Sequence, residues 1–200
     1  MIDRFIYDAL APVYRRIAGP FIALRVTANQ LTLAGFLIGI AAMPLLAGNH
    51  YRLALLAILL NRFLDGLDGA VARATSVTDR GAFLDIALDF LFYGAIPLGF
   101  CLAEPARNAP AAAVLLFSFI GTGSSFLAAS VIAGKRNMTA PKFRKGIFFT
   151  TGLMEGFETA LFFALMCVFP SYFPVIAYVF AALCFFTTLL RLLNGWRIFA

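Results

Sequence analysis

Charge is scarce in this chain. Only 13% of its 200 residues are Asp, Glu, Lys or Arg, against 62% hydrophobic, whereas a soluble domain usually carries about 25% charged and 45–50% apolar residues. That balance excludes an ordinary soluble domain. Histidine is nearly absent: the single His50 falls in a short polar stretch between apolar runs and reads as a solvated loop residue. The three cysteines, Cys101, Cys167 and Cys184, lie within apolar runs, with no CxxC spacing and no neighbouring histidine. That excludes a zinc site and argues for buried, inert thiols rather than a disulfide. Internal repeats, low-complexity tracts, long linkers and nucleic-acid motifs are missing. No cleavable signal peptide is expected either, because the first 26 residues lack an apolar core followed by a cleavage site.

What fills the sequence instead is apolar runs of spanning length, about 20 residues being needed to cross a bilayer. Six are expected, over residues 30–48, 51–73, 83–103, 110–133, 147–168 and 174–195. The predicted fold class is therefore an all-α integral membrane protein. Residues 1–26, which mix Phe5, Ile6, Leu10, Val13, Tyr14 and Ile17 with Arg4, Arg15, Arg16 and Arg25, are expected to form an amphipathic surface helix. Residues 27–200 then make one six-helix membrane domain.

Basic residues gather on one side of this map. Arg25, Arg73, Arg80, Lys135, Arg136, Lys142, Arg144, Lys145 and Arg197 flank alternate connections, and the opposite connections hold only Arg52 and Arg107. The positive-inside rule places both termini and the block from Asp65 to Asp89 in the cytoplasm or at its membrane face, and the expected location is a bacterial inner membrane. The net charge of +6 belongs to that rim and suits anionic headgroups and phosphates.

Against this background the acidic residues stand out. Four of only ten, Asp65, Asp68, Asp85 and Asp89, fall within one 25-residue block of apolar sequence. A carboxylate within a span costs roughly 2.5–3.5 kcal/mol on insertion scales. Helical spacing puts Asp65, Asp68, Gly69 and Ala72 on one stripe, with the last two leaving room for a bulky ligand. Gly81, Asp85 and Asp89 form a second stripe after a short polar turn, where Thr78 or Asp79 can cap the following helix. The two helices are expected to be antiparallel neighbours facing one cleft. Four ionised aspartates balance two divalent cations, and Mg2+ or Mn2+ prefers such oxygen ligands together with substrate phosphates. Arg73 adds a fixed donor for a diphosphate.

At these residues the sequence resembles the CDP-alcohol phosphotransferase family. The family pattern, DxxDGxxAR followed by GxxxDxxxD, is matched by Asp65, Asp68, Gly69, Ala72, Arg73, Gly81, Asp85 and Asp89, with a spacer one residue shorter than usual. A second pattern, TPNxLTxxG, is matched from Thr27 to Gly35, with Ala28 in place of the proline. The resemblance implies transfer of a substituted phosphate, usually phosphatidyl from CDP-diacylglycerol, onto an alcohol hydroxyl with release of CMP. It further implies metals held by the four aspartates, with Asp89 as general base. Donor contacts are implied at Asn29, Thr32, Gly69, Ala72, Arg73, Thr78 and Gly81, a plain helix cap at Thr27 or Asn29 being the other reading of the first pattern. Direct attack by the acceptor alkoxide is favoured over a covalent aspartyl-phosphate. Pairing of protomers into a homodimer is also implied.

The acceptor is less constrained. Glu155 and Glu158 share a face in the fifth span and are read either as an acceptor pocket or as an ion-pair brace, with Arg191 or Arg62 as partners. The basic connection up to Lys145 serves either a phosphorylated acceptor or anionic lipid. A small alcohol or a phosphorylated polyol is expected, with the polyol favoured by the basic rim. The rival function is an ion- or proton-coupled transporter using the intramembrane carboxylates.

Overall fold

A computed structural model describes residues 2–136, 138, 154 and 156–200, with side chains from residue 10 onward. Among the described residues every regular element is helical: α1 (Ile2–Ala23), α2 (Ala28–Ile40), α3 (Ala42–Ala47), α4 (Tyr51–Ala74), α5 (Asp79–Ala103), α6 (Pro105–Lys135), α7 (Gly156–Val168) and α8 (Phe173–Ile198), with a single 3-10 turn at Pro170–Tyr172 before α8.

Local chemistry sets most of the boundaries. The chain leaves α1 through Arg25 in the left-handed region, φ 59°, where the amide of Val26 donates to the carbonyl of Phe21 and closes the helix end. Thr27 then opens α2 with a capping box, accepting from the Gln30 amide at 3.3 Å while the Gln30 side chain accepts from the Thr27 amide at 2.9 Å. The first apolar run breaks between Ile40 and Ala42. Pro44 explains this, since its ring has no N–H for the carbonyl of Ile40 and crowds it. Asn49, at φ 61°, ends α3 in the same left-handed way. Thr78 caps α5 through a 3.1 Å bond from the Gly81 amide, so it is the cap in place of Asp79.

Among the described residues four stretches are long and apolar enough to cross a membrane: Ala28–Ala47, Asp79–Ala103, Pro105–Lys135 and Pro170–Ile198. α4 has the length, but Arg62, Asp65 and Asp68 interrupt its apolar sequence. α7 begins only at Gly156, because the earlier part of that expected run lies outside the described residues. Large apolar side chains cover the outside of the bundle, among them Leu56, Phe117, Ile120, Val131 and Val175, each more than half exposed. Such a surface is suited to hydrocarbon rather than water. The core is aromatic: Phe92, Phe100, Phe163, Phe173 and Phe180 are fully buried, and Phe100 stacks on Phe173 at 4.5 Å.

The helices pack in an order that opens a cleft. α2 lies against both α4 and α5, α3 bridges the same two helices, α6 joins α5 to α8, and α4 also carries α1 and α7. α4 and α5 are not themselves a closely packed pair among the described residues. This corrects the expectation that the two aspartate helices are direct neighbours: α2 is wedged against both. Its glycines allow the close approach, since a Cβ on Gly39 would sit 2.7 Å from the Asn61 amide nitrogen and 2.8 Å from the Phe92 ring. α1 packs one face, Tyr14, Ile17, Ala18 and Phe21, onto Leu67, Ala70 and Val71 of α4. α6 runs unbroken through Gly121–Ser125, and a Cβ on Gly123 would lie 2.5 Å from the Phe90 ring, so close packing accounts for the small residues there.

Candidate active site

The cleft that α2 props open holds the aspartate block. Its free space is small, about 10 Å3, room for about one water-sized group, and it is lined by Thr32, Asn61, Arg62, Asp65, Asp68, Asp85 and Asp89 together with apolar groups. One carboxylate oxygen from each of Asp65, Asp68 and Asp85 lies within 4.8 Å of the others. Like charges at that separation repel by about 3–4 kcal/mol at an effective dielectric near 20. The donor set is all oxygen and drawn from two helices, and its spacing is one a hard divalent cation can span. The residues present therefore fit such an ion.

Each carboxylate is held differently. Asp68 is buried, 6% exposed, and accepts a 2.5 Å hydrogen bond from the Thr32 hydroxyl on α2. The same hydroxyl lies 3.0 Å from the Ala28 carbonyl. Asp89 stands apart from the converging three and accepts from Arg62 Nη2 at 2.7 Å. Arg62 Nη1 also lies 3.7 Å from Asp65, one turn along its own helix. Among the described residues Arg62 is paired along the aspartate face, and Glu155, one of the two glutamates for which it was a candidate partner, lies outside them. Arg62 and Asn61 are the site residues that the sequence reading missed. Their signal was an arginine inside an apolar run, three residues ahead of Asp65.

The expected donor-binding residues divide between two places. Asn29, Thr78 and Gly81 meet at the start of α5, where a Cβ on Gly81 would come within 3.0 Å of the Asn29 side-chain oxygen. Gly69 leaves room for Arg73: a Cβ there would lie 3.0 Å from its guanidinium. Arg73 is exposed near the end of α4, and Ala72 is half-buried beside it. Thr32 is turned onto Asp68 instead. Of the expected acceptor residues, Glu158 and Arg191 are buried, 8% and 7% exposed, and neither lines the aspartate cleft. Arg191 donates to the Thr122 carbonyl at 2.9 Å and so ties α8 to α6. Lys145 and Glu155 lie outside the described residues.

The model of the CDP-alcohol phosphatidyltransferase family matches residues 25–190. The chain belongs to the CDP-alcohol phosphatidyltransferase family. This phosphatidyltransferase is 48% identical over 197 residues to Inner membrane protein YnjF of Escherichia coli, covering 98% of this chain and 96% of that one. It is 29% identical over 204 residues to the archaetidylinositol phosphate synthase of Methanothermobacter thermautotrophicus, covering 98% and 97%. Its fold is that of the phosphatidylinositol phosphate synthase PgsA1 of Mycobacterium tuberculosis. The match to PgsA1 with CDP-DAG bound has a TM-score of 0.74 at 20% identity, covering 92% of this chain and 94% of that one. The match to PgsA1 in complex with manganese and citrate has a TM-score of 0.73, covering 92% and 88%. Family membership makes the protein a phosphotransferase of phospholipid synthesis, and its apolar helices make it an integral membrane protein.

Proposed function

We propose that this phosphatidyltransferase moves a phosphatidyl group from CDP-diacylglycerol to a hydroxyl of an inositol phosphate or a similar phosphorylated polyol, releasing CMP. The observation that carries the reading is the convergence of Asp65, Asp68 and Asp85 in a cleft that also holds Asp89. In the matching solved fold, PgsA1 is described with CDP-DAG in one case and with manganese in another. The archaetidylinositol phosphate synthases among the relatives support the polyol.

Asp65, Asp68, Asp85 and Asp89 would hold two divalent cations, Mg2+ or Mn2+, which when bound neutralise the diphosphate and stabilise the leaving oxygen. The protein's own groups do the rest. Asn29, Thr78 and Gly81 at the start of α5 present backbone and side-chain donors where the helix dipole favours a phosphate. Arg73, in the space that Gly69 leaves, pairs with the diphosphate of the donor. Asp89 accepts the proton of the acceptor hydroxyl. The acceptor oxygen then bonds to the β-phosphorus as the bond from that phosphorus to CMP breaks. For the acceptor's own phosphate the chain offers the basic connection that includes Lys145, and Glu155 and Glu158 are assigned to polyol hydroxyls; Arg191, buried outside the aspartate cleft and bonded to the Thr122 carbonyl, takes the bracing role.

In the membrane we read α2 with α3, α4, α5, α6, α7 and α8 as six spans, with α1 on the surface. Arg25, Arg73, Arg80, Arg136 and Arg197 fall at one end of the bundle, where Arg136 donates to the Phe199 carbonyl at 2.6 Å. By the positive-inside rule that end, both termini and the cleft are cytoplasmic. The test is CMP release by purified protein in detergent, with CDP-diacylglycerol, Mn2+ or Mg2+ and a panel of acceptors. Release with inositol phosphate, lost in Asp89→Asn, is expected. Release with serine or a choline-type alcohol alone would overturn the acceptor, and ion flux in liposomes without any CMP would overturn the enzyme.

A further inference from the structure

Among the described residues lining the aspartate cleft Arg62 is the one cation, and it is fixed from several directions. Its Nε donates to the Asn61 side-chain oxygen at 2.7 Å, and Asn61 in turn donates to the Gly35 carbonyl of α2 at 2.9 Å. Its Nη1 donates to the Tyr93 hydroxyl at 3.0 Å, and its Nη2 to Asp89 at 2.7 Å. The guanidinium carbon lies 4.6 Å from the centre of the Phe92 ring and 5.2 Å from that of Tyr93. A planar fork held on two edges and against aromatic rings keeps little freedom, so it is pre-organised toward whatever it binds. Its side chain is 15% exposed, less than that of Asp89 at 23% or Asp65 at 30%, so it sits deeper than the carboxylates it serves.

From this geometry we infer that Arg62 is a positioning residue of the transfer reaction: it fixes the Asp89 carboxylate and contributes one permanent positive charge beside the three converging aspartates. The inference rests on the proposed function for the role of Asp89. Its content is separate, because it says how the cluster is charged and held whatever the acceptor. Two consequences oppose each other. The fixed charge a few ångströms from the carboxylates weakens the site for a divalent cation, since like charges repel at close range. The same residue keeps the base in the geometry for proton transfer, where a displacement of about 1 Å costs about 100-fold in rate. An ion pair that merely braces α4 against α5 would produce neither effect in this combination.

The experiment uses the full chain in detergent and two readouts. One is binding of Mn2+ alone, followed by the loss of the free-ion signal in electron paramagnetic resonance. The other is the kcat and donor KM for CMP release. Arg62→Gln is expected to bind Mn2+ about tenfold more tightly, to lose about 100-fold in kcat, and to keep the donor KM within about twofold. Arg62→Lys, which retains the charge and loses the fork, is expected to bind Mn2+ as the parent does and to recover part of kcat. Unchanged or weaker Mn2+ binding by folded Arg62→Gln, or an unchanged kcat, would overturn the inference. If Arg62→Gln does not fold, Arg62→Lys and Tyr93→Phe carry the test: a parent-like kcat in both overturns it, and a loss in both supports it. Should the parent protein release no CMP with any acceptor, the proposed function fails, and the Mn2+ titration still scores the charge of Arg62 independently.

Discussion

Replacing Thr32 by valine removes one hydroxyl and almost nothing else, and the site makes the consequence calculable. The Thr32 hydroxyl has one proton and two nearby acceptors, the Ala28 carbonyl at 3.0 Å and the Asp68 carboxylate at 2.5 Å. A charged acceptor at O–H···O− distance makes roughly twice the bond of a neutral one, so the carboxylate takes the proton. A hydrogen bond to a charged group contributes about 1.5–3 kcal/mol. With about 1.4 kcal/mol to a factor of ten, losing it weakens metal binding at Asp68 by roughly 10- to 100-fold if the whole effect falls on the ligand. That is the range found when partners of metal ligands are removed. Mn2+ titration of Thr32→Val against the parent measures this, with Thr32→Ser expected to behave as the parent. The reasoning fails if Mn2+ affinity is unchanged while the KM for CDP-diacylglycerol rises, for Thr32 would then serve the nucleotide rather than the aspartate.

Three further outcomes follow from the same geometry. Asp85→Asn, which removes one of the three converging carboxylates, is expected to lower CMP release at least about 1000-fold with the protein still folded, and a chelator should abolish release reversibly in the parent. Gly39→Ala is expected to cost about 1–3 kcal/mol of stability, read as a lower midpoint of thermal unfolding in detergent, because the new methyl lands on Asn61 and Phe92. Arg73→Gln is expected to raise the donor KM about tenfold or more with Mn2+ binding unchanged, measured by CMP release at varied CDP-diacylglycerol.

The aspartate block was legible because it obeys helical periodicity. Asp65 and Asp68 lie on one helix, Asp85 and Asp89 on another, and spacings of three and four residues are visible without a structure. What the sequence concealed are contacts between helices, which have no period. Arg62 reaches Asp89 across 27 positions, and Thr32 reaches Asp68 across 36; neither separation marks itself in the chain. The wedge of α2 between the aspartate helices was hidden for the same reason, although Gly35 and Gly39 recorded where two helices would approach closely. The break at Ile40 was written in Pro44, yet apolar composition smoothed it over. α4 shows the opposite case, since the charges that identify the site also remove that helix from the apolar stretches recognised by hydropathy.

The central claim is that the aspartate cleft performs a metal-dependent transfer from a CDP-linked lipid. Its most direct test is the lipid product itself, identified by mass spectrometry after incubating the purified protein with CDP-diacylglycerol, Mn2+ and inositol phosphate. The account predicts phosphatidylinositol phosphate formed one-to-one with CMP, and neither product from Asp85→Asn or after chelation. CMP formed without a new lipid, or the lipid formed equally well by Asp85→Asn, would contradict it.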